Sequence, residues 1–107
     1  FGTIANNGLV RVDYQSDGNL VVYNNLSGTS LWSAGTQGNP EGKLCFQSDG
    51  NFVAYDSSGA PKWDAFHNAS NKGNNVVLVL QNDCNLVLTN QDSGLPIWAS
   101  GTNPCPD

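Results

Sequence analysis

The sequence predicts an all-β chain assembled from three similar units, and three observations carry that expectation. A nine-residue phrase, QSDGNLVVY at Gln15–Tyr23, returns as QSDGNFVAY at Gln47–Tyr55 and as QNDCNLVLT at Gln81–Thr89, 32 and 34 residues apart. Each copy is followed eight or nine residues later by a tryptophan: Trp32, Trp63 and Trp98. The apolar segments are short, rich in Val, Leu, Phe and Tyr, and cut by Gly, Asn, Asp, Ser and Pro. Helical repeats share this period but need a helical hydrophobic pattern, which is absent here.

Each element follows in order. Residues 9–15, LVRVDYQ, alternate apolar and polar side chains as a half-buried strand does. The Ser-Asp-Gly that follows is a turn, with Gly18 or Gly50 free to take a positive φ. Asn19 to Tyr23 begin the returning strand, and NNLSG and DSSGAP turn the chain into strands carrying Trp32 and Trp63. TQGNPEG and NASNKGNN link one unit to the next. The units run about 1–36, 37–70 and 71–107 within a single domain spanning residues 1–107. One small sheet cannot hide its apolar face alone. Three sheets around a threefold pseudo-axis can, with the tryptophans as core plugs.

Charge narrows the partners. The net charge is −5, the pI is near 4.3, and Arg11, Lys43, Lys62 and Lys72 are scattered. Nucleic acid and anionic membranes are therefore poor partners. No apolar run approaches the roughly 20 residues that span a bilayer. A basic start followed by an apolar stretch is absent, so any signal peptide is expected to have been removed or never to have existed. The polar surface comes from Asn, Ser, Gly and Gln, which favour neutral, hydroxyl-rich ligands.

Of three cysteines, Cys84 and Cys105 lie 21 apart and could close a loop worth roughly 3 kcal/mol, leaving Cys45 as a free thiol. A disulfide would point to a secreted, extracellular setting. Asn25-Leu26-Ser27 and Asn68-Ala69-Ser70 match the N-glycosylation sequon.

The residues held across the copies separate two readings of the repeat. Gln15/Gln47/Gln81, Asp17/Asp49/Asp83, Asn19/Asn51/Asn85 and Val21/Val53/Val87 are fixed, while several intervening apolar positions vary. Tyr23 and Tyr55 complete two copies, and Thr89 stands in the third. Turn chemistry explains part of the Asp and Asn pattern but not Gln and Tyr at the strand ends. Side-chain alternation places Asn19, Val21 and Tyr23 on one face, beside Gln15 and Asp17. That patch offers a carboxylate, two amides, a phenol and an apolar methyl pair, which matches vicinal hydroxyls on a sugar or polyol. Purely structural repetition is the other reading.

Q-x-D-x-N-x-V-x-Y, intact at Gln15–Tyr23 and Gln47–Tyr55, resembles the mannose-binding motif of the monocot bulb lectins, the B-type or snowdrop-lectin family. The resemblance covers essentially the whole chain. It implies a β-prism II fold, three antiparallel four-stranded sheets about a pseudo-threefold axis, with a shallow mannose site on each. It also implies roles: Gln, Asp and Asn bond the sugar's O2 and O3, Tyr reaches O4, and Val packs on the ring. Site 1 is then Gln15, Asp17, Asn19, Val21 and Tyr23, and site 2 is Gln47, Asp49, Asn51, Val53 and Tyr55. Site 3 is Gln81, Asp83, Asn85, Val87 and Thr89, expected to be weak or lost because Thr is too short to replace the phenol. The implied partners are mannose-containing glycans or glycoproteins, bound by avidity without a cofactor, in a homodimer or higher oligomer. Defence, adhesion and recognition of competitors all fit that chemistry. Two features depart from the family. The cysteine pair matching its disulfide falls in the last repeat rather than the first, and few residues precede Gln15. The chain therefore reads as permuted or differently framed, which counts against the C-terminal strand exchange that builds family dimers.

Other chemistries have less behind them. His67 is the only histidine and lies in the loop-like FHNAS stretch with no nucleophile motif. An Asp13–Asp17 pair would be the carboxylates of a glycosidase, but a flat sheet lacks a cleft. The DGN wording of a calcium loop lacks its spaced acids, so no metal is expected. A non-sugar interaction or antimicrobial module on the same fold is the remaining alternative.

Overall fold

The computed structural model describes residues 2–38, 42–67 and 69–105. They form ten strands in three antiparallel sheets. The first sheet holds β1 (Gly2–Asn6), β2 (Val10–Tyr14), β3 (Leu20–Asn24) and β4 (Ser30–Ser33) in chain order. The second holds β5 (Lys43–Phe46), β6 (Phe52–Tyr55) and β7 (Pro61–Asp64). The third holds β8 (Val76–Leu80), β9 (Leu86–Asn90) and β10 (Pro96–Ala99). The expected all-β, three-sheet architecture is what the chain adopts.

The strand count differs from four per sheet. Among the described residues, the second and third sheets have three strands, and only the first has a fourth, β1. The cause is local composition. β1 carries Thr3 and Ile4, whereas the corresponding linkers, TQGNPEG and NASNKGNN, are built of Gly, Asn and Pro, which are depleted in strands.

Register puts equivalent residues at equivalent places. In β2, Val10, Val12 and Tyr14 are buried and Arg11 and Asp13 half-exposed, the period of two that the sequence shows. Leu20, Val22, Phe52, Leu86 and Leu88, from the middle strand of each sheet, meet in one core with Val10, Val12 and Tyr14. Completely burying a leucine such as Leu20 or Leu88 stabilises by about 2 kcal/mol. Each sheet also has an irregularity where its middle strand meets the tryptophan strand, beside Tyr23, Tyr55 and Thr89.

Trp32, Trp63 and Trp98 form a closed trio. Their ring centroids are 5.6, 5.1 and 5.2 Å apart, all edge-to-face. Such contacts add about 0.5–1.5 kcal/mol each beyond area burial. The rings pack against the core yet stay partly exposed, so they join the three sheets without being sealed inside.

Candidate functional site

Each copy of the phrase closes a hairpin by the same bonds. The amides of Gln15, Gln47 and Gln81 donate to the carbonyls of Asn19, Asn51 and Asn85 at 2.8, 2.8 and 2.9 Å. Gly18, Gly50 and Cys84 donate back to Gln15, Gln47 and Gln81 at 2.9 Å in every copy. The tight bend needs a positive φ at its third residue, and Gly18 and Gly50 adopt 88° and 90°. Gly50 has a second constraint: a Cβ there would lie 2.0 Å from the Gly73 carbonyl oxygen. Cys84 takes φ 72° although it is not glycine. It is held there by its disulfide to Cys105, Cα–Cα 4.9 Å, and by the Thr102 hydroxyl donating to its carbonyl at 2.7 Å. Cys45 is half-buried and free.

The motif side chains divide their atoms between fold and solvent. One carboxylate oxygen of Asp17, Asp49 and Asp83 accepts from the Asn19, Asn51 and Asn85 amides at 2.9, 2.9 and 3.0 Å. The oxygen of each motif Asn accepts from the loop after the tryptophan: Thr36 N to Asn19 at 3.1 Å, Phe66 N to Asn51 at 3.0 Å, and Gly101 N to Asn85 at 3.0 Å. The fixed Asp and Asn therefore build the hairpin as well as facing outward, more than turn preference alone implies. What stays open in each copy is the second carboxylate oxygen and Asn amide hydrogen, of which Asn51 gives one to Asp64.

Gln and Tyr meet directly. Gln15 Nε2 donates to Tyr23 Oη, and Gln47 Nε2 donates to Tyr55 Oη. Val21, Val53 and Val87 are 2%, 2% and 5% exposed. They lie on the strand face opposite Leu20, Phe52 and Leu86, outside the central core, as a floor beneath the polar groups. In the third copy, Gln81 and Thr89 share no side-chain bond, and the Gln81 carbonyl accepts from Asn7 Nδ2 at 3.3 Å.

Sequence reasoning missed the residues beside the tyrosines. The Arg11 guanidinium lies 4.8 Å from the Tyr23 ring centroid, held by Asp13 at 3.0 Å and by the Asn25 side-chain oxygen at 3.1 Å. Lys43 Nζ sits 5.7 Å from the Tyr55 centroid. The two cations look scattered along the chain, yet each is the cross-strand partner of a motif tyrosine, four residues before the motif Gln. That constant offset was the available signal.

The second copy opens onto a depression bordered by Lys62, Asp64, His67 and Trp98. There Asn51 Nδ2 donates one hydrogen to Asp64 at 2.9 Å. His67, an isolated histidine in sequence, is exposed on this rim. Nearby, the Ser58 hydroxyl and the Ala60 amide hold the Asp56 carboxyl down to about 2, with Lys62 Nζ 3.5 Å away. Asp13 has both oxygens engaged, one by the Thr3 hydroxyl at 2.7 Å and one by Arg11. Among the described residues, no three His, Cys, Asp or Glu side chains gather as metal ligands do. In the first sequon, Asn25 also donates to Asn6 at 3.0 Å; Asn68 lies outside the described residues.

No protein-family model matches the chain. It is 35% identical over 102 residues to the B-type lectin plumieribetin of Scorpaena plumieri, covering 94% of this chain and 83% of that protein. It superposes on a monomeric monocot mannose-binding lectin from Gastrodia elata with a TM-score of 0.78 and 38% identity, over 95% of this chain and 87% of the other. The mannose-specific agglutinin of snowdrop, Galanthus nivalis, crystallised with methyl-α-D-mannoside, matches with a TM-score of 0.65 and 35% identity, over 92% and 84%.

Proposed function

The chain belongs to the B-type lectin family, and on that premise we propose that it binds mannose-containing glycans through two repeated surface sites. Site 1 is Gln15, Asp17, Asn19, Val21 and Tyr23; site 2 is Gln47, Asp49, Asn51, Val53 and Tyr55. One observation carries the reading. In both copies the fold's own bonds engage one oxygen of Asp and the side-chain oxygen of Asn, leaving a carboxylate oxygen and amide hydrogen, one of Asn51's two being given to Asp64, beside a joined Gln–Tyr pair. Vicinal hydroxyls both donate and accept: they donate to Asp and accept from Asn. The phenol and the free Gln oxygen meet a further hydroxyl, and the ring's C–H face rests on Val21 or Val53. Arg11 and Lys43 steady the tyrosine rings from the neighbouring strand.

Sites of this kind bind single sugars weakly. Two on one rigid chain gain effective concentration on a branched glycan, which is a physical reason to repeat the motif. We read the sites as recognising rather than catalytic: Asp13, the partner that a hydrolytic carboxylate pair would need, is already committed to Thr3 and Arg11. The Cys84–Cys105 disulfide supports an oxidising, extracellular setting.

Retention on immobilised branched mannan tests this. Wild-type protein is expected to bind and to be displaced by free methyl α-mannoside, and the Asp17→Asn, Asp49→Asn variant to pass through. Failure of the wild type to bind, or unchanged binding by that variant, would overturn the proposal.

A further inference from the structure

The third copy keeps its polar triad but sits in a different frame. Gln81, Asp83 and Asn85 occupy the same hairpin as their counterparts, with Asp83 and Asn85 fixed by the same backbone bonds. Val87 lies beneath them. The strands on either side are not equivalent. At the tyrosine position the cross-strand pairs are Arg11–Tyr23, Lys43–Tyr55 and Val77–Thr89. At the valine position the flanking partners are Asp13 and Ser33 in the first sheet, Cys45 and Asp64 in the second, Val79 and Ala99 in the third. A cation at the tyrosine position and at least one carboxylate at the valine position flank the first two copies, and Val77, Val79 and Ala99 take their place around the third. Val77 and Val79 lie on the outer face, opposite Val76, Leu78 and Leu80, which pack on the core, and Val79 is 40% exposed.

We propose that the third copy is a working sugar site of different specificity. It takes a hexose that keeps the vicinal hydroxyls met by Gln81, Asp83 and Asn85. At the ring position that meets the phenol in the other two sites, this hexose carries a hydrogen or a methyl ether instead of a hydroxyl. The inference rests on the sugar-binding reading of the first two sites. A hydroxyl placed beside Val77, with the short Thr89 side chain where the phenol stands in the other copies, loses its water without gaining a full set of partners, whereas a methyl group there gains apolar contact with Val77. Gln81, released from any tyrosine, turns its whole amide to the ligand. The same substituent at sites 1 and 2 would leave Tyr23 or Tyr55 without its hydroxyl partner, so the three sites would sort ligands by one ring position.

The floor valines give one reporter per site. Methyl-resolved NMR of the wild-type protein, titrated with methyl α-mannoside and a panel of its mono-deoxy and mono-O-methyl derivatives, reads Val21, Val53 and Val87 separately. The parent sugar should shift Val21 and Val53 and leave Val87 nearly still. One position's derivatives should reverse this, binding at Val87 at least about tenfold more tightly than the parent, the effect of one hydrogen bond. In the Val77→Lys, Thr89→Tyr variant, Val87 should respond to the parent sugar. If Val21 and Val53 respond to the parent while Val87 stays silent to the whole panel, or prefers the parent, this inference is overturned alone. Silence of all three valines throughout overturns the sugar reading with it.

Discussion

At Asp49 one carboxylate oxygen holds the turn through the Asn51 amide and the other faces outward, so fold and binding can be separated by choice of substitution. Asp49→Asn keeps an acceptor for that amide and removes the charge. It should leave the melting temperature nearly unchanged while weakening sugar binding at site 2 by about tenfold or more. Asp49→Ala removes both and should also lose about 1 kcal/mol of stability. Next to it, Gly50→Ala should be severe, on the order of 2–4 kcal/mol in denaturant unfolding, because φ is 90° and the Cβ would meet the Gly73 carbonyl oxygen at 2.0 Å. Asp56 supplies a pH test. Its carboxyl is held at about 2 against an ordinary 3.8, first by the Ser58 hydroxyl and then by the Ala60 amide. Being depressed in the folded state, it contributes stability that is present above 3.8 and lost as pH falls through about 2. The gap in melting temperature between wild type and Asp56→Asn should be present at pH 5 and close towards pH 2. The motif residues themselves were legible in sequence because they repeat. Their double duty was not, since the loop amides of Thr36, Phe66 and Gly101 that fix the Asn side chains lie 15 to 17 residues further along the chain.

Among the elements, the three hairpins are built by one rule with one exception. Cys84 occupies a left-handed position that Gly18 and Gly50 fill without steric cost. Its strain of about 1 kcal/mol is offset by the disulfide, worth roughly 3 kcal/mol for a loop of this length. Cys84→Ala with Cys105→Ala should therefore lose more stability than Cys84→Gly with Cys105→Ala, by about 1 kcal/mol in matched denaturant melts. The repeat showed that Gly and Cys alternate at this position; only the backbone angle shows what the exchange costs. Strand pairs were readable where apolar and polar residues alternate, as in Val10 to Tyr14. The fourth strand was not, because it depends on whether a linker can pair, and the Gly- and Asn-rich linkers before β5 and β8 do not resemble β1. Cross-strand neighbours such as Arg11 on Tyr23 were equally hidden, being set by register rather than by sequence proximity.

For the whole molecule, the β-prism II architecture turns a repeated sequence into three outward faces around one trio of indoles. Trp32 contacts both other tryptophans, and Trp32→Ala should cost about 3 kcal/mol and loosen all three sheets together. The period near 33 residues and the recurring tryptophan made this plan visible in the sequence, because threefold burial demands threefold patterning. What the period concealed is that the frames of the faces differ, with a cation beside the motif on two and valines beside it on the third. The central claim is that two of the three faces bind the parent mannoside, and the number of sites tests it most directly. Calorimetric titration of the wild-type chain with methyl α-mannoside should give weak binding with a stoichiometry near two, falling to one in Asp49→Asn and to none when Asp17→Asn is added. A stoichiometry of three, or one unmoved by these substitutions, would contradict the account.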